Sequence, residues 1–138
     1  MKKVVKRSKR ELEILFECRE ILKKNPKLKN KKLNRIKDLE KRLYYYLCWS
    51  ITESQPIFKL KNYDKRCFRG VDCYHLDHTV PIIYGYNNKI PPEKIGGISN
   101  LRFIPSEDNM KKGYKITEES HKVLRKFKRK GDIYKKKK

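Results

Sequence analysis

The sequence predicts an α+β protein, built from an N-terminal helical hairpin, a central strand–loop–strand–helix unit and a basic C-terminal helix. Three observations favour this class. Apolar residues recur at helical spacing through the first 50 residues, they alternate with polar residues in 71–80, and Pro- and Gly-rich stretches separate the segments. A chain of 138 residues buries only a modest core. We therefore expect three segments, which span residues 1–55, 56–113 and 114–138.

Two helices are predicted in the first segment. Ser8 and Glu11 form a capping box, in which each side chain satisfies a free backbone donor, so a helix is expected over 8–24. Apolar residues at alternating steps of three and four predict a second helix over 31–50, antiparallel to the first. The aromatic run near its end, 44–49, is expected to pack against the next segment, with base stacking as the alternative.

The rest of the chain alternates between strand and helix signals, with turn residues between them. Residues 52–69 show no regular pattern and are expected to form a loop or a short strand. The elements expected after them are a strand over 71–80, a long loop over 84–99, a strand over 101–104, a helix over 106–113 capped by Ser106, and a basic helix from Thr117 to about Lys130.

The chain is strongly basic, with 38 Lys and Arg residues against 16 acids and a formal charge of +22. Residues 1–50 carry 17 bases and 6 acids (+11), residues 51–113 carry 10 and 7 (+3), and residues 114–138 carry 11 and 3 (+8). Two basic arms therefore flank a nearly neutral centre, which favours nucleic acid, and DNA first, as the partner. A Lys-rich composition inherited from an AT-rich genome is the alternative.

The sequence also bears on location. No stretch approaches the roughly 20 apolar residues of a membrane span, and the basic start has no apolar run behind it. We therefore expect a cytoplasmic protein with no membrane partner. The four cysteines contain no Cys-x-x-Cys pair and are expected to be reduced thiols.

The central segment contains three short motifs, whose order and spacing are considered together. Asp77 and His78 end the first predicted strand, Asn100 opens the second, and Asn109 follows Asn100 by nine positions. Together they resemble the HNH family of nucleases, also called ββα-metal or His-Me finger nucleases, over about residues 71–113. The last motif position is often His in that family, so the chain resembles an H-N-N variant.

The resemblance carries several expectations. It implies a ββα-metal core for residues 56–113 and the activity of a metal-dependent DNA endonuclease, which hydrolyses phosphodiester bonds to a 5′-phosphate and a 3′-hydroxyl. It also implies an origin of the phage or mobile-element type, and hence the host cytoplasm. Asn100 then braces the loop that orients His78, a role that follows from the resemblance alone.

The residue types suit this reaction. Phosphodiester hydrolysis needs a deprotonated water and a Lewis acid for the charge that develops on phosphate. His78 is expected to be the general base, since an imidazole with an ordinary pKa of about 6.5 can take a proton at neutral pH. Asp77 and Asn109 are expected to bind one divalent metal, Mg²⁺ with Mn²⁺ as the alternative, through hard oxygen ligands.

Further residues are interpreted from their type and position. His75 shares the face of Asp77 on the predicted strand, where packing or support of the site is preferred over metal binding. Cys67, Cys73 and His75 offer three donors without Cys-x-x-Cys spacing, so structural zinc is not expected. Phosphate contacts are expected from six basic residues: Arg102, Lys111, Lys112, Lys122, Arg125 and Lys126.

Two other classes of function stay open beside the nuclease. A catalytically silent protein of the HNH fold could bind DNA without cutting it, or could dock on a host enzyme through its basic arms. Taken singly, Asp77, His78 and the two asparagines are ordinary turn or cap residues; their joint order favours the nuclease. A protein partner or a homodimer is also compatible with the sequence.

Overall fold

The computed structural model describes residues 6–67 and 72–129. It has the mixed helix-and-sheet architecture of the α+β class, with one two-stranded antiparallel sheet in the described part. The helices and strands, in chain order, are α1 (Lys9–Lys24), α2 (Leu39–Ser54), β1 (Tyr74–His78), α3 (Ile82–Asn87), α4 (Pro92–Ile95), β2 (Leu101–Pro105), α5 (Ser106–Lys112) and α6 (Glu118–Arg129).

The two predicted N-terminal helices are present, but their expected antiparallel orientation is wrong. Arg10 in the first turn of α1 forms an ion pair with Glu40 in the first turn of α2, with Nε and Oε2 3.0 Å apart, so both helices begin at the same end of the pair. The segment between the helices, residues 25–38, returns the chain to that end. Helix α1 begins as expected. The Ser8 hydroxyl accepts from the Glu11 backbone N–H at 3.1 Å, and the Glu11 carboxylate accepts from the Ser8 N–H at 2.8 Å. Helix α1 packs against α2. The apolar stripe of α1 buries Ile14 and Cys18 in this contact.

The predicted bounds of the second helix, 31–50, are wrong. Short 3₁₀ turns occupy Pro26–Lys31 and Leu33–Arg35, and Lys32 between them is left-handed, with φ of 54°. The α-helix starts only after Asp38, whose carboxylate accepts from the Lys41 N–H at 3.2 Å. Helix α2 then continues to Ser54, which places Thr52 inside the helix rather than in the expected loop.

Helix α2 joins the N-terminal pair of helices to the central unit. Trp49 packs edge-on against His78 with ring centroids 4.6 Å apart, and the Tyr44 hydroxyl donates to the carbonyl of Ile90 at 2.5 Å. The packing interpretation of the aromatic run 44–49 is therefore confirmed for these two rings. Helix α2 therefore forms one side of the central unit.

Strands β1 and β2 pair antiparallel, and helix α5 packs on both of them. The register sets Asp77 opposite Arg102 and His78 opposite Leu101. Strand β1 is shorter than the expected 71–80, of which residue 71 lies outside the described part. Because β2 runs directly into α5, the helix starts at Ser106 itself, and the expectation that Ser106 caps it is wrong.

The long loop predicted over 84–99 is also wrong, because α3 extends into this range and α4 lies within it. These helices are too short to show a helical period in the sequence, and Pro92 is tolerated at a helix start. Gly96, which ends α4, approaches α2 so closely that a Cβ atom there would lie 2.5 Å from the carbonyl oxygen of Cys48. The α3–α4 segment is thereby held against α2.

Helix α6 closes the structure. As expected, Thr117 caps it, with its hydroxyl accepting from the Ser120 N–H at 3.2 Å. The buried Ser120 hydroxyl donates to the carbonyl of Thr79 at 2.6 Å, which ties the helix to the turn after β1. The expected helix end at Lys130 and the Lys-rich tail lie outside the described residues. None of the described helices combines the length and apolar character needed to cross a bilayer.

Candidate functional site

A cavity of about 400 Å³ lies where α2, β1 and the end of α5 meet. The predicted residues Asp77, His78 and Asn109 all line it, together with Lys112. Tyr45 and Trp49 of α2 add an aromatic wall. The fold thus brings side chains from a strand end and two helices to one concave surface.

His78 is the last residue of β1 and is 7% exposed. Its Nε2 lies 2.9 Å from the Thr52 hydroxyl, and that hydroxyl donates its hydrogen to the carbonyl of Gly96 at 3.1 Å. When the hydroxyl gives its one hydrogen to Gly96, it accepts from His78, and the imidazole proton is then on Nε2. In that tautomer Nδ1 is the basic nitrogen. The ring of His78 lines the cavity, and Nδ1 has no hydrogen bond to the described residues.

The imidazole of His78 is neutral over the physiological pH range. Burial lowers its pKa to about 3, and the positive charges of Lys31, Lys112 and Arg66 act in the same direction. Burial disfavours the charged imidazolium, and nearby cations add to that cost. The result is a base that is unprotonated before any reaction begins, although a weak one.

Asn100 is fully buried and holds the turn that follows His78. Its side-chain oxygen accepts from the Val80 N–H at 2.7 Å, and its amide nitrogen donates to the carbonyls of Val80 at 3.1 Å and Ile95 at 2.8 Å. Its own carbonyl accepts from the Thr79 N–H at 2.8 Å. These contacts connect the end of β1 with α4, and Asn100 does not line the cavity.

Asp77 is compensated by two cations. Arg102 Nε donates to one carboxylate oxygen at 2.9 Å, and Lys112 Nζ donates to the other at 3.1 Å. Lys112 also donates to the carbonyl of His78 at 3.2 Å. The side chains of Asp77 and Lys112 are only 5% and 6% exposed. Two of the six expected phosphate contacts, Arg102 and Lys112, are therefore engaged with the carboxylate.

Asn109 lies on α5, where its Nδ2 is 3.2 Å from Nδ1 of His75. In this orientation His75 accepts at Nδ1, so its own proton is on Nε2, which has no hydrogen-bond partner in the described part of the chain. The contact with His75 uses the amide nitrogen of Asn109, whose side chain lines the cavity. His75 thus contacts the candidate site through Asn109.

Cys67, Cys73 and His75 form a second cluster, whose ligand atoms lie within 4.8 Å of one another and could hold a metal ion. Sulfur and imidazole donors favour zinc over Mg²⁺. In the structure the two sulfurs form a disulfide, so the expectation of reduced thiols is wrong for this pair, and the two sulfurs could bind a metal only after reduction. The Cys67 N–H donates to the carbonyl of Tyr74 at 2.8 Å, which places Cys67 beside the start of β1. Cys18 and Cys48 are free and buried.

The remaining predicted phosphate contacts lie on two helices. Lys111 is an exposed residue of α5 beside the cavity, and Lys122, Arg125 and Lys126 lie on α6. Sequence reasoning missed Thr52, because a loop was expected from residue 52 onward, whereas Thr52 lies on α2. No local signal distinguishes it from any other helical threonine.

Compared with known proteins, the chain matches no family model, no curated protein and no solved structure.

Proposed function

We propose that the protein is a metal-dependent DNA endonuclease of the HNH type, which hydrolyses phosphodiester bonds. The observation that supports this most is the cavity shared by Asp77, His78 and Asn109, in which the imidazole of His78 is neutral. Two oxygen-bearing side chains and one base are the minimum for metal-assisted hydrolysis.

His78 is the general base in this proposal. Its Nδ1 takes a proton from water, the water oxygen forms a bond to phosphorus, and the 3′ oxygen of the substrate leaves with the bonding electron pair. Thr52 keeps the ring oriented through Nε2 during the transfer. The negative charge of the bound phosphate offsets the nearby cations and thereby favours the imidazolium that forms.

Asp77 and Asn109 would hold the divalent cation. A carboxylate and an amide oxygen are hard donors that suit Mg²⁺, and Mn²⁺ is the alternative. When bound, the cation supplies Lewis-acid stabilisation of the phosphate charge. The side-chain oxygen of Asn109 is available because His75 binds its amide nitrogen.

DNA is the proposed substrate because of the basic surface. Lys122, Arg125 and Lys126 of α6 can contact backbone phosphates without reading sequence. Helix α6 is attached through Ser120 to the turn after β1, so its positive charge has a defined place relative to His78.

Cleavage of supercoiled plasmid with Mg²⁺, Mn²⁺ or excess EDTA tests the proposal. We expect cleavage with either metal and none in EDTA. His78→Ala should reduce the rate at least ~10²-fold with little change in DNA affinity, because a base acts in the transition state. His121→Ala, which removes an exposed histidine of α6, is the matched control and should cut like the wild type.

A second function is favoured by one observation, the ion pair between Lys112 and Asp77. It compensates the carboxylate without any metal, as a catalytically silent DNA-binding protein would require. The same experiment separates the two functions. Tight DNA binding with no cleavage under any metal would select the silent protein and overturn the nuclease.

A further inference from the structure

The ammonium group of Lys112 lies where a metal bound to Asp77 would have to bind. It is 3.1 Å from one Asp77 oxygen, while Arg102 lies 2.9 Å from the other. The carboxylate therefore faces two cations before any metal arrives. The side chains of Lys112 and Asp77 are both buried, so solvent screens the interaction between their charges poorly.

A divalent cation bound to this oxygen would compete with the ammonium group for the charge of the carboxylate. Ligation would place a charge of +2 within a few ångströms of the charge on Lys112, with little water between them. Repulsion at such a distance is far stronger in a buried site than in water. Lys112 must then leave the carboxylate, and it can do so because its four-carbon stem is flexible.

The released ammonium has one evident destination. Lys112 lines the same cavity as His78 and Asn109, and it is the last residue of α5. The cavity is where the proposed function places the scissile phosphate. A lysine that leaves Asp77 therefore remains next to the negative charge that develops there.

We propose that Lys112 is a catalytic residue that acts as a tethered substitute for the metal: it compensates Asp77 until the divalent cation displaces it, and then contacts the phosphate. This rests on the proposed nuclease function. Lys112 differs in this role from the neighbouring Lys111, which is exposed and has no described contact with Asp77.

Competition between Lys112 and the metal for Asp77 is tested by measuring Mn²⁺ binding to the full chain without DNA. Free Mn²⁺ is measured by electron paramagnetic resonance. Lys112→Met should bind Mn²⁺ at least ~10-fold more tightly than the wild type, because it removes the competing charge. Lys115→Met, the same change at an exposed position nearby, should leave the affinity unchanged. Lys112→Arg keeps the charge and should stay close to the wild type.

The expected effect of Lys112→Met on the cleavage rate is opposite to its effect on metal affinity. In single-turnover plasmid cleavage at saturating Mg²⁺, Lys112→Met should be at least ~10-fold slower than the wild type despite its tighter metal binding. Mn²⁺ binding by Lys112→Met that is no tighter than wild type would overturn the competition. An undiminished rate would overturn the catalytic role.

Two further readouts keep the test decisive. If Lys112→Met fails to fold, the ammonium resonance of Lys112 in the wild type is followed by ¹⁵N NMR during a Mg²⁺ titration. We expect Mg²⁺ to shift this resonance. An unchanged resonance in a Mg²⁺-bound protein overturns the inference. A wild type that binds no Mn²⁺ and cuts no DNA would overturn the proposed function as well. A wild type that cuts, with no change in Lys112→Met, would overturn this inference alone.

Discussion

The two nitrogens of His78 have different surroundings, and this difference is the central chemical feature at the residue scale. Nε2 contacts the Thr52 hydroxyl inside the protein, while Nδ1 has no hydrogen bond to the described residues. A fixed tautomer matters because a general base must present its lone pair to water. Thr52 is therefore a positioning residue in the proposed reaction.

Replacement of Thr52 by Val tests this positioning role, because Val keeps the shape and removes the hydroxyl. We expect single-turnover cleavage to fall ~10-fold, since the imidazole loses the partner that orients it. Ser54→Ala, which removes an exposed hydroxyl from the same helix, is the control. A Thr52→Val variant with a normal melting temperature and a normal cleavage rate would contradict the role.

The buried imidazole also makes stability depend on pH. The folded pKa of His78, about 3, lies below the unfolded value of about 6.5, so the unfolded chain binds more protons between these limits. The stabilisation is complete above pH 6.5 and is lost as the pH falls toward 3. This single group contributes a slope of up to about 1.4 kcal/mol per pH unit below 6.5.

Urea unfolding at pH 7, 6 and 5 measures that slope. The wild type should lose more unfolding free energy than His78→Gln between pH 6.5 and 5, because Gln does not titrate. Parallel pH profiles for the two proteins would show that His78 is not buried in its neutral form.

At the scale of elements, the structure depends on short connections that hold β1, α4 and α2 together. Asn100 connects the turn after β1 to α4, and the carbonyl of Gly96 accepts from the Thr52 hydroxyl of α2. The close approach of Gly96 to Cys48 leaves no room for a side chain. Elements with no regular hydrophobic period are therefore ordered by a few buried polar contacts.

Asn100→Ala should destabilise the protein by about 2–5 kcal/mol, because it leaves a buried N–H and two buried carbonyls without partners. Cleavage should fall as well, since the turn after His78 loses its attachment. Chemical denaturation with Ser99→Ala as the control measures the change. A loss below about 1 kcal/mol would mean that water replaces these bonds.

At the scale of the whole molecule, the N-terminal helices α1 and α2 and the central unit share one hydrophobic core. Its buried side chains come from α1 and α2 as well as from the strands and α6. Helix α2 forms one side of the proposed catalytic cavity, so the central unit is incomplete without it. The charge, in contrast, is concentrated outside the centre, with +11 in residues 1–50 and +8 in residues 114–138.

Salt titration of DNA binding in EDTA tests the role of α6. Changing Lys122, Arg125 and Lys126 to Gln should weaken binding similarly for unrelated sequences. It should make the slope of log K against log salt shallower by about 0.9 for each DNA phosphate that the variant no longer neutralises. An unchanged slope would assign this basic face to a protein partner or to solubility.

Strong local signals were sufficient for much of the fold. The capping box at Ser8, the cap at Thr117 and the order of strand, strand and helix were all visible as residue types at fixed spacings. The candidate residues Asp77, His78 and Asn109 were found by motif order, and the structure brings them to one cavity. The HNH assignment itself stays a proposal.

Contacts between residues distant in sequence were decided by the tertiary structure alone. Lys112 reaches Asp77, Thr52 reaches His78 and His75 reaches Asn109, each across 26 to 35 positions. Helices α3 and α4 were missed because four to six residues carry no measurable period. Side-chain pairing depends on where whole elements pack, and a spacing pattern describes only the faces of one element at a time.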